Sequence, residues 1–253
     1  MNRDAGPLET PRSWHAAALA FAIVFPSATT ALYFIVLSGS PAMGVAYGAC
    51  KVVQFAFPLV WVLAVQKRRL QLARPDGRQI GWGLLVGAAM VAAGLAAYWG
   101  YFKTSPWLVD LPRTIGDKLR DMSLVVVPDG AAPASASPAR FLKFALFLSV
   151  PHSLAEEYYW RWFVFGQARR VMPVWAAVLL SSLGFMAHHV LVLERFLPGQ
   201  WAAVALFSGC VAFGGAVWAV IYHRSHSLYA PWASHFLVDA GIMFIGYDLI
   251  WRA

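Results

Sequence analysis

Charged residues are scarce in this sequence. Of its 253 residues, only 13% are Asp, Glu, Lys or Arg, whereas 60% are hydrophobic. A soluble domain with so few charges would lack the polar side chains that cover a water-exposed surface. The composition therefore excludes an ordinary soluble protein and indicates an integral membrane protein, for which the lipid bilayer is the solvent.

Cysteine is also rare, and several recurrent sequence patterns are missing. The two cysteines, Cys50 and Cys210, lie far apart within apolar segments, which argues against a disulfide framework or a cysteine metal site. No HExxH sequence occurs, so the helical zinc motif of many metalloproteases is absent. We find no internal repeat, and the length fits one helical bundle, so we expect a single integral membrane domain over residues 1–253.

Apolar segments of sufficient length to cross about 30 Å of hydrocarbon dominate the chain. Lipid cannot satisfy backbone hydrogen-bonding groups, and segments of the alternating barrel type are absent, so the predicted fold is an all-α, polytopic transmembrane bundle. The seven predicted spans are Trp14–Leu37, Ala42–Gln66, Ile80–Tyr101, Phe141–Phe165, Met172–Leu193, Trp201–Tyr222 and Leu228–Trp251.

The basic residues, which give a net charge of +8, predict the orientation of the bundle. They form neither one helix face nor a low-complexity arm, so they do not indicate a nucleic-acid partner. They cluster at the ends of apolar segments, most densely in the loop 66–79. By the positive-inside rule we expect this loop on the cytoplasmic side and the loop 102–140 on the opposite side. The Pro/Ala/Ser-rich stretch 128–140 predicts a flexible linker.

Ionisable residues occur in the interior of three predicted spans. One such residue is more often structural than functional, but each of these clusters adds a cost of burying polar groups, and together they favour one shared functional site. The clusters are Glu156, Glu157 and Arg161 in the fourth span, His188 and His189 in the fifth, and His235 and Asp239 in the seventh.

Helical spacing predicts how the charges of the fourth span pair. Glu157 and Arg161 are four residues apart, in the acid-before-base order that favours an ion pair along one helix face. Glu156 is rotated by about 100° from Glu157, so it is less neutralised and is the better candidate for a general base. Taken alone, this cluster could equally be an internal ion pair that only orients helices.

Two other polar residues of the spans are expected to be bystanders. His152 lies one turn before Glu156, and the alternative is that it joins the polar network, but the adjacent Pro151 equally suggests a helix kink where exposed backbone is satisfied locally. Lys51 is expected to extend toward the membrane surface, and the alternative is that it faces the cavity.

The ionisable clusters form three motifs: EExxxR at 156–161, FxxxH at 185–189 and HxxxD at 235–239. Their order in successive apolar segments resembles the CPBP family of intramembrane proteases, named for its CAAX-processing and bacteriocin-processing members. The resemblance covers about residues 141–245, and its spacing selects His189 over His188. It implies a helical fold with a water-filled cavity, in which a multi-pass protein of the bacterial inner membrane hydrolyses a peptide bond of a membrane-linked protein or peptide.

The same resemblance implies a catalytic role for six residues. Glu156 and His189 polarise the water, His235 and Asp239 stabilise the oxyanion, and Glu157 and Arg161 support Glu156. This scheme needs no cofactor or metal ion. Catalytic zinc held by His189, His235 and Glu156 is the alternative, because two histidines and a carboxylate are a ligand set for that metal.

Two functions of other classes remain open from the sequence. A proton- or ion-coupled transporter would also carry membrane-embedded Glu, His and Asp residues. Transporters commonly contain two related halves or interrupted helices in corresponding positions, and neither pattern is found. A catalytically silent scaffold that binds a membrane partner would retain the fold without turnover.

Overall fold

The computed structural model describes residues 10–70, 73–112, 114–115 and 138–251. Within these ranges all regular secondary structure is helical, which confirms the predicted all-α class. Most of the predicted linker 128–140 lies outside the described residues.

Seven long helices make up the described part of the chain. Each end lies within three residues of the predicted one, because the helices end where the apolar runs do. In chain order they are α1 (Arg12–Ala31, continued by a π-helical turn at Leu32–Val36), α2 (Ala42–Val60, continued by a π-helical turn at Trp61–Val65), α3 (Gly77–Gly100), α4 (138–168), α5 (Val174–Phe196), α6 (Trp201–Ser225) and α7 (Tyr229–Trp251).

Six of these helices, all except α4, are long and apolar enough to cross a membrane. The exception differs because charged residues and changes of helix type interrupt its apolar sequence. It is also the helix most enclosed by protein, since Tyr159, Trp160 and Phe163 have no exposed surface. The fourth predicted span therefore forms the centre of the bundle, where its polar groups meet other helices instead of lipid.

Helix α4 alternates between α-helical and π-helical hydrogen bonding. The turns Leu148–His152 and Tyr158–Phe165 are π-helical, and the short α-helical segment Ser153–Glu157 lies between them. Pro151 contributes to the first change because it has no backbone N–H to donate. Such π turns are rare overall, but those that occur often lie at functional sites. Here they flank both glutamates.

Helices α3 and α7 approach each other at the level of the backbone. A methyl group at Gly83 would overlap the backbone of Ala230, and one at Gly87 would overlap the backbone of Ser234. Only glycine leaves room for this contact, as in other tightly packed membrane helices. The contact fixes α7 at the residue that precedes His235.

A buried polar cluster joins the ends of α1, α2 and α4. Gln167 Oε1 lies 2.8 Å from both His15 Nδ1 and Gln66 Nε2. All three side chains are buried, so the cluster satisfies polar groups that water cannot reach. It holds the last turn of α4 against the first two helices.

Candidate active site

The carboxylate of Glu156 lies among histidines from three helices. Its Oε1 is 3.4 Å from His152 Nε2 and 3.8 Å from His188 Nε2, and its Oε2 is 3.7 Å from His235 Nε2. Only 5% of Glu156 is exposed. A carboxylate held among several imidazoles can exchange protons with any of them or bind a water molecule between them.

The neighbouring Glu157 is fully buried and held from two sides. Its Oε2 lies 3.3 Å from Arg161 Nε, which is the ion pair that the helical spacing predicts. Its Oε1 lies 2.8 Å from Nδ1 of His235 on α7. Glu157 therefore links α4 to α7 and leaves Glu156 as the less restrained of the two carboxylates.

Arg161 has no exposed surface and contacts two aromatic rings in addition to Glu157. The centre of its guanidinium lies 4.8 Å from the ring centre of Phe185 and 5.1 Å from that of Trp218. It also donates to the backbone oxygen of Gly215 at 3.4 Å. Cation–π contacts of this kind stabilise a guanidinium that is removed from water.

His188 and His189 present different ring atoms to the site. His189 Nδ1 donates to the backbone oxygen of Phe185 at 2.8 Å, so the neutral ring carries its lone pair on Nε2. The ring of His188 is stacked parallel to Trp160, with ring centres 5.6 Å apart, and its Nε2 faces Glu156. His189 is thus oriented by its own helix, whereas Trp160 orients His188.

Helix α7 contributes His235 and Asp239. With Nδ1 directed at Glu157, the other nitrogen of His235 lies 3.5 Å from Asp239 Oδ1. The indole of Trp218 stacks on the His235 ring at 3.8 Å and donates from Nε1 to Ser234 Oγ at 3.1 Å. The imidazole is therefore held from its edge and from its face.

The structure brings the six predicted site residues into one cluster built by α4, α5 and α7. It also adds three residues that are not among the six predicted catalytic ones, namely His152, His188 and Trp218. His152 lies four residues before Glu156, so helical spacing contained a signal for their contact. No comparable signal exists for Trp218, because it approaches His235 from α6, which carries none of the three motifs.

A group of metal-ligating atoms occurs in the same cluster. Among the described residues, Glu156, His188 and His189 each offer one such atom, and these atoms lie within 4.8 Å of one another. The set predicted for zinc contained His235 in place of His188. His235 instead contacts three carboxylates, because its Nδ1 contacts Glu157 and its Nε2 lies between Glu156 and Asp239.

Comparison with known proteins identifies the segment that carries this cluster. Residues 138–241 match the model of a family described as Rce1-like, type II CAAX prenyl endopeptidase. This segment is similar to the Rce1-like family. The match confirms the resemblance to CPBP proteases and contains all three motifs. No curated protein and no solved structure matches the chain.

The Rce1-like family is a peptidase family, and the general activity of this family is that of a CAAX-type intramembrane protease. Together with the six apolar helices, this makes the chain an integral, multi-pass membrane protein. Helices α1–α3 precede the matched segment and add walls to the bundle that the family model does not cover.

Proposed function

We propose that the chain is a metal-free intramembrane endopeptidase that cleaves membrane-linked proteins or peptides. The observation that carries this proposal is the position of Glu156, whose carboxylate lies within 4 Å of histidines on α4, α5 and α7. Amide hydrolysis requires an activated water, a donor for the oxyanion and a proton for the leaving amine. The cluster contains a candidate for each.

Glu156 and His189 activate the water in this scheme. The bond between His189 Nδ1 and Phe185 leaves the lone pair of Nε2 available to accept a proton from water. As the water oxygen bonds to the carbonyl carbon, its proton passes to Glu156 and His189, which act together as the general base. The same proton then passes to the nitrogen of the leaving amine as the carbon–nitrogen bond breaks.

His235, oriented by Asp239, stabilises the negative charge that develops on the carbonyl oxygen. Donation from His235 Nδ1 to Glu157 leaves Nε2 as the nitrogen that faces the site. In the charged imidazolium this nitrogen is also a donor, and the carboxylate of Glu157 balances that charge. Asp239 lies beside Nε2 and orients it.

Glu157 and Arg161 keep the reacting groups in position. Glu157 touches both Arg161 and His235, so it transmits the position of one helix to the other. An endopeptidase gains rate from such restraint, because a displacement of the base by about 1 Å costs about 100-fold in rate. These two residues therefore act through Glu156 and His235 in this scheme.

The family description supports prenylated proteins that end in a CAAX sequence as the first substrate class to test. A prenyl chain would bring the peptide to the membrane, where the cluster lies. We place the protein in the bacterial inner membrane, with the basic loop 66–79 in the cytoplasm.

Comparison of cellular protein termini tests the proposed function. Cells that produce the wild-type chain should contain new protein termini in their membrane and secreted fractions, and cells that produce equal amounts of Glu156→Gln should lack them. Mass spectrometry of labelled amino and carboxyl termini measures this difference. Identical terminal peptides in both cell types would reject proteolysis and favour transport or scaffolding.

Zinc-dependent hydrolysis is the second candidate, and the group formed by Glu156, His188 and His189 favours it. We expect the purified protein to keep its activity after exhaustive chelation, because every step of the proposed scheme uses a protein side chain. Turnover of a prenylated CAAX-type peptide before and after dialysis against EDTA measures this. Loss of activity that one equivalent of zinc restores would make the same three residues metal ligands.

A further inference from the structure

Helix α2 places a lysine on its inward face. Tyr47, Lys51, Gln54 and Pro58 recur at helical spacing, and Gln54 and Pro58 are buried. The Lys51 ammonium donates to Gln54 Oε1 at 3.2 Å. Gln54 lies farther along α2, toward the middle of the span, so the side chain does not extend toward the nearer membrane surface as expected from the sequence.

The charge of Lys51 is not neutralised by an ion pair. Among the residues that the structure describes, its contacts are the neutral Gln54 and the rings of Tyr47 and Phe55, whose centres lie 5.8 and 5.7 Å away. No ion pair of the described residues includes it. A charge in the membrane interior is costly, and an ammonium has three donors, of which Gln54 uses one.

Lys51 lies beside the candidate active site but outside its hydrogen-bonded cluster. One turn farther along α2, the backbone oxygen of Phe55 accepts from the Tyr158 hydroxyl at 3.2 Å, and the Phe55 ring packs edge-on against Tyr159. These two tyrosines directly follow the glutamate pair on α4. Through Phe55, this part of α2 packs against α4 directly after the glutamate pair.

We propose that Lys51 binds a carboxylate of the bound substrate. The inference rests on the proposed function and adds a determinant of specificity from outside the matched segment 138–241. Glu156 repels an anionic group that enters the site, and a further cation on the inward face of α2 offsets this repulsion. A peptide offers the required carboxylate either at its carboxyl terminus or on an Asp or Glu side chain.

Three farnesylated peptides that end in a CAAX-type sequence test the proposal with the purified full-length protein. The first has a free terminal carboxylate and one internal Glu, the second is its carboxyl-terminal amide, and the third replaces the internal Glu by Gln. Removing the recognised carboxylate should raise the wild-type KM by at least about tenfold. The kcat should change by less than about twofold, because the contact is the same in the ground state and the transition state.

Variants of Lys51 separate binding from a structural role. Lys51→Met removes a charge from the membrane interior, so it should fold. If the terminal carboxylate is recognised, the KM of this variant should be equally high for the acid and the amide peptide. If the side-chain carboxylate is recognised, the KM should be equally high for the Glu and the Gln peptide. Lys51→Arg should retain the preference. Lys143→Gln, which removes an exposed lysine at the start of α4, should behave as the wild type.

Each outcome of this experiment decides between the alternatives. Loss of the preference in Lys51→Met supports the proposal, and the peptide that reveals the preference identifies the terminal or the side-chain carboxylate. An unchanged preference in Lys51→Met, or no preference in the wild type, overturns the role of Lys51 alone. If the wild type cleaves none of the three peptides, the proposed substrate class fails and this inference fails with it.

Discussion

Replacing Glu156 by Gln should abolish peptide cleavage while the protein remains folded. The substitution keeps the size and hydrogen-bonding capacity of the side chain but removes the base, a group that contributes about 10²- to 10⁴-fold to a rate. His189→Ala and His235→Ala should reduce kcat nearly as much. Groups that serve one transition state are not additive, so Glu156→Gln/His189→Ala should be scarcely slower than either single variant.

Kinetics with equal amounts of purified protein measure these effects, and two matched substitutions serve as controls. Glu194→Gln changes a glutamate near the end of α5, and His223→Ala changes a histidine near the end of α6. Both should keep the wild-type rate within about twofold, because neither lies in the cluster. Full turnover by Glu156→Gln, or losses that multiply in the double variant, would contradict the proposed mechanism.

Arg161→Ala should lower the amount of protein in the membrane as well as its activity. The substitution leaves His235 as the one remaining partner of the buried Glu157 among its two described ion-pair partners, and breaking a buried pair from one side costs about 3–5 kcal/mol. That loss is a large fraction of the stability of an ordinary domain. Quantitative immunoblotting of membrane fractions, followed by thermal unfolding of the purified protein, measures it.

A second substitution distinguishes lost pairing from lost packing. Glu157→Gln in the Arg161→Ala background removes the buried carboxylate that has lost its arginine, so it should restore much of the abundance without restoring turnover. Arg170→Ala, which changes an exposed arginine just beyond α4, should alter neither property. Normal abundance of Arg161→Ala would show that Glu157 is neutralised in another way.

The helices could be predicted from the sequence because the bilayer imposes a minimum length on every span. Ile80–Tyr101, for example, was predicted for the helix found at Gly77–Gly100, and Trp201 was predicted as the first residue of α6. Capping residues shift such ends by a turn at most, as Asp76 does by accepting from Gln79 N at the start of α3. The general position of the ionisable clusters followed from the same apolar runs.

The contacts within the site were less predictable, because they depend on rotations and crossings that the sequence does not specify. Helical spacing assumes about 3.6 residues per turn, and α4 departs from this value on both sides of Glu156. The spacing signal from His152 to Glu156 competed with the kink predicted at Pro151, and the sequence identified no neighbour for the charge of Lys51. Contacts between helices distant in the sequence, such as Trp218 on His235, have no sequence period at all.

Gly83 and Gly87 also bear on the order in which the site assembles during synthesis. Helix α3 is synthesised before α7, so the surface at its two glycines lacks its packing partners until Ala230 and Ser234 have been synthesised. The docking of α7 then delivers His235 to a glutamate pair that is already in the bilayer. In the proposed scheme, a nascent chain would carry the base Glu156 before the oxyanion-stabilising His235, so we expect unfinished chains to lack turnover.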